Sequence, residues 1–218
     1  MPSKDYRQFC GLARTLDVVG DRWNLLIVRE LLTGPKRNAD LRAGLPGIAT
    51  NLLTDRLREL QEAGVVERKE LPAPAPAVVY ELTARGRALK GAILELARWG
   101  RPLLGERRPG EAFSPRWLLL SLEASFDPAA ACEEEETYEF RVDGEVIHAS
   151  VRDGAVSVAD GPASDPDVVV EADAETILAW GTGGLDDTGA SRAGMRISGG
   201  RAALRRLGAL FPAAQTDP

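Results

Sequence analysis

The most informative polar side chains lie on one predicted helix, residues 50–63. Leu53, Leu57 and Leu60 recur there at i, i+4 and i+7, a spacing that predicts one buried face. The opposite face offers hydroxyl, amide, carboxylate and guanidinium groups, on Thr50, Asn51, Thr54, Asp55 and Arg58. Such groups hydrogen-bond base edges and phosphates in nucleic-acid complexes, and Arg58 is the leading choice. Taken alone, this helix fits a DNA-reading surface and an ordinary solvated face equally well.

Cys10 is the residue best placed for thiol chemistry. It stands where a helix is predicted to begin, and a helix dipole lowers the pKa of a thiol there and favours the reactive thiolate. Arg7 and Arg14 are close in sequence. The alternative is that Cys10 is a small buried apolar residue, which is the usual role of a free cysteine.

The sequence offers little for catalysis or metal binding. It contains no GxSxG, P-loop or Rossmann motif, and its one histidine, His148, has no accompanying nucleophile motif. Cys10 and Cys132 are far apart and form no CxxC pair. The run Glu133–Glu136 predicts a solvated segment because consecutive carboxylates lack the spacing of cation ligands. We therefore expect no enzyme, no metal site and no cofactor.

The first half of the chain is predicted to be mainly helical, with one hairpin. Helices are expected at about 11–19, 21–32, 38–43 and 50–63, and strands at about 65–70 and 78–82. Asp21 is predicted to cap the second helix, and Thr83 a long final helix with Leu89, Ile93 and Leu96 as its apolar stripe. This order is that of a winged helix-turn-helix, in which one helix enters the major groove and a hairpin lies beside it.

The second half is predicted to be an α+β domain. Helices are expected at about 115–126, 173–180 and 201–210, and strands at about 137–142, 145–152, 155–159, 168–171 and 195–198. The dipeptides Asp143-Gly144 and Asp153-Gly154 predict tight hairpin turns. A polar, proline-containing linker at 107–114 divides the chain into domains 1–106 and 115–218.

Composition and charge narrow the functional class. The 218 residues are 44% hydrophobic and 28% charged, which suits folded domains rather than a disordered chain. No apolar run approaches the length of a membrane span, and no export signal follows Met1, so we expect a cytoplasmic protein without membrane contact. Residues 1–108 carry a net charge of +6 and residues 109–218 carry −12. Contact with DNA is therefore expected from the first half.

Several ordered phrases in the first half resemble HxlR-type winged-helix transcriptional regulators, which are MarR-like. The phrases are Cys10–Pro35, Asp40-Leu-Arg with Leu45-Pro-Gly-Ile, Leu52–Leu60, Ala63–Arg68 and Tyr80–Thr83. The likeness covers about residues 6–104, and several blocks in the right order are more specific than one motif.

This resemblance implies roles for individual residues at a DNA surface. Asn51, Thr54 and Arg58 would lie on the reading helix, and Arg68 and Lys69 on the wing strand near phosphates. Arg22 and Arg37 are weaker phosphate candidates. The wing loop, 71–77, is rich in proline and alanine instead of basic residues, which argues against insertion of its tip into the minor groove.

The resemblance also implies a homodimer formed through the first and last helices. The stripe of Leu89, Ile93 and Leu96, with Trp99, would then contact a partner chain; the alternative is an intramolecular core. Some members of the family sense electrophiles or oxidants with a cysteine at the position of Cys10. Repression is the commoner mode of regulation in the family.

The second half resembles a sterol-carrier-protein-type lipid-binding domain over about residues 115–212. The likeness rests on the apolar first helix, the Asp-Gly-linked strands, and the phrases beginning at Pro166 and Met195. It implies an apolar tunnel for a hydrophobic small molecule, lined by Trp117, Leu120, Ile177 and Trp180, although these residues also fit a closed core.

Together these features predict a homodimeric, sequence-specific regulator that binds double-stranded DNA and carries an effector domain. The alternative is a lipid carrier or adaptor whose winged helix mediates protein contacts.

Overall fold

A computed structural model describes residues 5–72, 76–105, 107–108 and 110–213. The chain forms two compact units, Met1–Ile93 and Leu94–Pro218. The division falls ahead of the linker predicted at 107–114, and each unit has a hydrophobic core of its own.

The first unit is a winged helix-turn-helix, as the sequence predicts. Its elements are α1 (Gly11–Val19), α2 (Asn24–Leu32), α3 (Asn38–Gly44), α4 (Thr50–Glu62), β1 (Val66–Leu71), β2 (Ala77–Leu82) and α5 (Ala84–Arg87). Helix α6 (Lys90–Gly100) begins in this unit and continues into the next. Strands β1 and β2 pair antiparallel, with Val66 opposite Leu82.

The apolar stripe of α4 lies in the first core. Leu53, Leu57 and Leu60 are almost completely buried, and they pack with Ile27 of α2 and Leu41 of α3. The predicted period of this helix is therefore confirmed. Burial of three leucines fixes the rotation of α4, so Thr50, Asn51, Thr54 and Arg58 on its opposite side are exposed.

Two local predictions in this unit are wrong. Helix α2 begins at Asn24 and not at Asp21, because Trp23 adopts a left-handed backbone conformation with φ of 87° just before it. The long helix after Thr83 is divided at residues 88–89, where the N–H of Leu89 bonds the carbonyl of Gly86, three residues back. Thr83 caps only α5, its hydroxyl accepting from the N–H of Gly86 at 3.1 Å.

The second unit is an α+β arrangement built on a five-stranded sheet. Its strands are β3 (Glu136–Val142), β4 (Glu145–Arg152), β5 (Ala155–Asp160), β6 (Val168–Ala172) and β7 (Arg196–Gly199). Its helices are α7 (Leu118–Ser125), α8 (Ala174–Gly181), α9 (Asp187–Arg192) and α10 (Arg201–Leu210). The strand order is β5-β4-β3-β6-β7, and the β3–β6 pair is parallel while the other pairs are antiparallel.

Both predicted Asp-Gly turns are confirmed. Asp143 and Gly144 have φ values of 50° and 84°, and Asp153 and Gly154 have 51° and 72°. Two consecutive residues with positive φ are the requirement of a type I′ turn, whose twist matches that of paired strands. Helix α9 was not predicted, because it lies in a glycine-rich stretch; Asp186 caps it by accepting from the N–H of Gly189 at 2.7 Å.

The second core fills one face of this sheet. Tyr138 and Phe140 of β3 pack there with Leu119 of α7, Ile177 of α8 and Leu207 of α10. In neither unit does a described helix have the length and apolar character needed to cross a bilayer.

Candidate nucleic-acid interface

The polar face of α4 is open to solvent along its length. Thr50, Asn51, Thr54 and Arg58 are all exposed, while the leucines on the other side of the helix are buried. The hydroxyl of Thr54 donates to the carbonyl of Thr50 at 3.0 Å. Amide, hydroxyl and guanidinium groups thus project from one rigid helix, as a major-groove reading helix requires.

Arg58 is held by a neighbouring carboxylate. Its Nη2 lies 3.1 Å from Oδ1 of Asp55, one turn back on α4, and both side chains are at least half exposed. An exposed ion pair of this kind is worth at most about 1 kcal/mol. A phosphate or a guanine could therefore replace Asp55 as the partner of Arg58 at small cost.

The basic residues of the wing strand are paired in the same way. Arg68 lies 3.0 Å from Glu70, and Lys69 bonds Glu81 on β2 and approaches Glu67 at 3.6 Å. The hydrogen bond to Glu81 raises the pKa of Lys69, and the same contact lowers the pKa of Glu81. Wing residues 73–75, part of the predicted proline-alanine loop, lie outside the described residues.

The two weaker phosphate candidates have no carboxylate beside them in the part of the chain that the structure describes. Arg22 and Arg37 are exposed, and among the described residues neither guanidinium has a carboxylate within 4 Å. The guanidinium of Arg22 stacks over Trp23, 5.5 Å from the ring centroid. Arg37 precedes α3, and its backbone N–H donates to Asp40 at 3.0 Å.

A positioning contact that sequence reasoning missed fixes α4 from its inner side. Arg56, mostly buried, donates to Asp21 at 2.6 Å and to Glu59 at 2.5 Å. Asp21 precedes α2, so this contact ties α4 to the start of α2. The i, i+3 spacing of Arg56 and Glu59 was visible in the sequence, but the contact with Asp21 spans 35 positions and was not.

A second missed contact joins the wing to the helix-turn-helix. The backbone of Lys36, before α3, exchanges two hydrogen bonds with Tyr80 of β2, at 3.0 and 2.8 Å. The ammonium of Lys36 also lies 3.9 Å from Glu30, whose buried carboxylate binds Arg29 at 2.8 Å. A side chain at Gly44 would come within 2.5 Å of Glu30, so α3 and α2 approach closely here.

The apolar stripe that was predicted to contact a partner chain is only partly exposed. Leu89 and Ile93 pack in the first core, and Ile93 is buried there. Leu96 and Trp99, farther along α6, are 52% and 74% exposed. On α1 the chain also exposes Leu12, at 68%, and just before that helix it exposes Phe9 fully.

Cys10 is exposed immediately before α1. Interaction with the backbone N–H groups of Ala13 and Leu12 lowers the pKa of its thiol. Its surroundings thus favour the thiolate, as expected at a helix N-terminus.

The four residues predicted to line an apolar tunnel do not share one environment. Ile177 is part of the second core, and Trp180 packs against it while its indole N–H donates to Asp187 at 2.9 Å. Leu120 is buried outside that cluster, and Trp117 makes an edge-to-face contact with Phe113. A cavity of about 440 Å³ in this unit lies elsewhere, at β6 and β7, and none of the four lines it.

No metal site is apparent in the described ranges, where no three His, Cys, Asp or Glu side chains converge.

The helix-turn-helix is similar to a known protein family. The HxlR-like helix-turn-helix model matches residues 18–108. The Bacillus subtilis regulator YkvN, an HTH-type transcriptional regulator that is itself uncharacterised, is 38% identical over 91 residues, which are 42% of this chain and 77% of YkvN. The chain belongs to the HxlR-like helix-turn-helix family.

Other HTH-type transcriptional regulators are similar to comparable shares of the chain. The HTH-type transcriptional regulator YodB of Bacillus subtilis is 39% identical over 82 residues, covering 38% of this chain and 73% of YodB. The uncharacterised regulator sll1512 of Synechocystis is 34% identical over 99 residues, covering 45% of this chain and 73% of sll1512. The solved structure of reduced YodB is 33% identical and covers 48% of this chain and all of that one, with a TM-score of 0.40.

Membership in the HxlR-like family places this protein among transcriptional regulators and not among enzymes. The family match ends at residue 108, so the second unit, with its five-stranded sheet, lies almost wholly outside it.

Proposed function

We propose that this HxlR-like protein represses transcription as a homodimer that binds a specific site on double-stranded DNA. The observation that carries the proposal is the exposed polar face of α4, held in place by three buried leucines and by Arg56. Asn51, Thr54 and Arg58 read base edges, with Thr50 beside them. Arg68, Lys69, Arg22 and Arg37 contact phosphates.

The ion pairs on this surface favour selective binding. Arg58, Arg68 and Lys69 each have a carboxylate close by, which repels phosphate unless the basic group exchanges partners. Non-specific DNA supplies fewer base contacts to offset that exchange. The carboxylates therefore weaken random binding more than binding at a matched site.

The exposed apolar side chains support the homodimer. Leu96 and Trp99 on α6, and Phe9 and Leu12 at α1, are large apolar groups left open to solvent, which is typical of protein interaction sites. A two-fold dimer would present two α4 helices to an inverted repeat whose half-sites lie about 10 bp apart or a multiple of that distance.

The test of DNA reading is a binding titration with fluorescent DNA from the region upstream of the protein's own gene, against scrambled DNA, across a range of salt and with reductant present. We expect preference for the upstream DNA and an affinity that falls steeply with salt. Arg58→Ala should weaken binding to that DNA by about tenfold or more, since a base contact is worth about 1–3 kcal/mol. Arg152→Ala, which removes an exposed arginine of the second unit, is the matched control.

Failure to bind either DNA at low salt would overturn the proposal and favour the lipid carrier or adaptor. Equal binding to both DNAs, unchanged by Arg58→Ala, would contradict sequence reading by α4.

The test of the dimer is the molar mass in solution. The paired change Leu96→Glu and Trp99→Glu should lower the molar mass measured by light scattering and weaken DNA binding with it. The matched change Glu95→Gln, on the same helix, should alter neither. An unchanged molar mass in the double variant would exclude the α6 contact.

Cys10 supplies a proposed redox response. Its lowered thiol pKa and its exposure favour reaction with an oxidant. Diamide should release the wild-type protein from DNA, while Cys10→Ser should bind normally and ignore diamide. A Cys10→Ser variant that still responds would exclude this residue.

The second unit is proposed to respond to a hydrophobic small molecule bound near Trp117, Leu120, Ile177 and Trp180. Because Ile177 lies in a packed core, binding would have to separate side chains that now touch. Tryptophan fluorescence during titration with oleate tests this directly. A saturable change that Trp180→Phe diminishes would support the site, and no change up to the solubility limit would exclude it.

A further inference from the structure

Strand β5 forms an open edge of the five-stranded sheet. It pairs with β4 over Ala155–Asp160, and the N–H of Gly161 continues that ladder to the carbonyl of Val146 at 2.8 Å. Hydrogen-bonding direction alternates along an antiparallel strand, so Ala155, Ser157 and Ala159 direct their backbone groups toward β4. The backbone N–H and C=O groups of Val156, Val158 and Asp160 therefore point outward, and none of these backbone groups bonds another backbone group among the described residues.

This edge lacks the features that normally prevent strand pairing. Residues 155–159 are Ala, Val, Ser, Val and Ala, with no charge, no proline and no bulge in the β4 register. The only charge on β5 is Asp160 at its end, which lies 3.3 Å from Arg116. The other edge, β7, has only four residues, begins with Arg196 and ends at Gly199 with φ of 145°. Exposed edges are usually kept short or charged to block pairing. Strand β7 is short and begins with a charge, whereas the first five of the six residues of β5 are uncharged.

The sequence of β5 is also complementary to itself. The segment Ala155–Ala159 reads the same in both directions. Two copies placed antiparallel about Ser157 would set Val156 of each opposite Val158 of the other. In that register, residues whose backbone N–H and C=O groups point outward lie opposite residues of the same kind, as an antiparallel ladder requires. A two-fold axis then passes beside Ser157.

We propose that β5 pairs with β5 of a second copy of this chain and extends the sheet across a two-fold axis. The valines supply the hydrogen-bonded pairs, and Ser157 faces its own copy in the non-hydrogen-bonded position. Asp160 falls opposite Gly154 of the second copy, so no two carboxylates oppose each other. This surface shares no residue with the helical contact proposed above, which uses Leu96 and Trp99 of α6.

The side chains of β5 fit such a contact. Val156 and Val158 are half-buried against the second core and would gain a cross-strand valine neighbour. Ala155, Ser157 and Ala159 are exposed on the opposite face and are small enough to leave the approach of a strand unobstructed.

The register makes a cross-linking test specific. In the full chain carrying Cys10→Ser and Cys132→Ser, the change Ser157→Cys would place two thiols opposite each other with Cα atoms about 4.5 Å apart, within the range of a disulfide. Ala155→Cys is the matched control, on the same face of the same strand. Position 155 faces position 159 of the second copy, so the cysteines at position 155 of the two copies lie about 14 Å apart along the strands.

With oxidised glutathione as the oxidant, the Ser157→Cys protein should form a covalent dimer at least tenfold faster than the Ala155→Cys protein. Equal rates for the two, or no covalent dimer from Ser157→Cys, would overturn the proposal. DNA binding plays no part in this readout, so the result is independent of the proposed regulatory function.

A second variant tests the contact without added thiols. In the protein that carries Leu96→Glu and Trp99→Glu, and so lacks the proposed α6 contact, Ser157→Lys would place two lysines opposite each other across the two-fold axis. It should raise the dissociation constant for the remaining self-association about fivefold at low salt. Ser198→Lys, on the edge strand β7, should leave it unchanged. Equal effects of the two lysines would contradict pairing through β5.

Discussion

Arg56 and Arg58 lie two positions apart on α4 and have different tasks. Arg56 faces inward and is 16% exposed at its side chain, and Arg58 faces solvent at 61%. Loss of a partly buried, charge-assisted contact costs about 1.5–3 kcal/mol, whereas loss of an exposed ion pair costs at most about 1 kcal/mol.

We therefore expect Arg56→Ala to lower the free energy of unfolding of the first unit by about 1.5–3 kcal/mol. Arg58→Ala should leave that free energy within about 1 kcal/mol of wild type while weakening DNA binding. Urea unfolding followed by circular dichroism, together with the DNA titration, separates the two effects. Equal losses of stability would contradict the inward placement of Arg56.

In the second unit, Glu136 carries a pH-dependent contribution to stability. It accepts hydrogen bonds from Arg206, at 2.9 and 3.1 Å from Nε, and from the hydroxyl of buried Tyr138 at 2.6 Å. The hydrogen bonds from Arg206 have the largest effect on the pKa of Glu136, and they lower it. A lowered folded-state pKa means that the stabilisation is present above the unfolded pKa, about 4.3, and is lost as the pH falls through the folded value.

Glu136→Gln should consequently reduce the free energy of unfolding at pH 7 by about 1–3 kcal/mol and flatten its decline below about pH 4.3. Urea unfolding at a series of pH values measures both effects. Glu133→Gln, an exposed residue of the same acidic run, is the control and should change neither quantity. A Glu136→Gln protein as stable as wild type at pH 7 would refute the assignment.

At the scale of elements, α5 depends on a close approach that only glycine allows. A Cβ on Gly86 would lie 2.1 Å from the carbonyl oxygen of Val65, at the start of the wing, and that oxygen cannot move without the backbone. Gly91, near the start of α6, has open space at the same position.

Gly86→Ala should destabilise the first unit by about 1–3 kcal/mol through overpacking, whereas Gly91→Ala should stabilise it by about 0.4–1 kcal/mol by restricting the unfolded chain. Thermal unfolding of the two variants side by side checks the opposite signs. A neutral Gly86→Ala would show that α5 can move away from Val65.

Elements with a strong periodic or turn signal could be predicted from the sequence. The leucines of α4 and the Asp-Gly turns of the sheet are such cases, because a repeat of side chains or a left-handed dipeptide has few structural solutions. The break at residues 88–89 has no such signal. The apolar stripe continues across it from Leu89 to Ile93, so the sequence favours one helix.

Partners distant in sequence were the part of the site that could not be predicted. Position on α4 identified the outward face of Asn51 and Arg58, but the Arg56–Asp21 contact depends on how two helices pack. The stripe from Leu89 to Trp99 shows the same limit, since periodicity cannot distinguish burial in the protein's own core from exposure to a partner.

At the scale of the whole molecule, the two units have separate cores. Ile27 is fully buried in the first, and Ile177, 4% exposed, lies in the second. The same substitution in each core therefore gives a matched pair.

Ile27→Ala and Ile177→Ala should each cost about 2–5 kcal/mol, and each should loosen only its own unit. Hydrogen exchange measured peptide by peptide should show faster exchange in α2 and α4 for Ile27→Ala, and in β3 and α8 for Ile177→Ala. Faster exchange in both units from either change would show that they unfold together.

The parallel pairing of β3 with β6 has a consequence for synthesis of the chain. As the protein leaves the ribosome, β3, β4 and β5 can assemble at once, because tight turns join them and closing such short loops is fast. The other side of β3 must wait until Val168–Ala172 has emerged. During synthesis, the central strand β3 is therefore unpaired on one side until β6 has emerged. A nascent chain stalled before residue 168 would expose that side of β3 to chaperones.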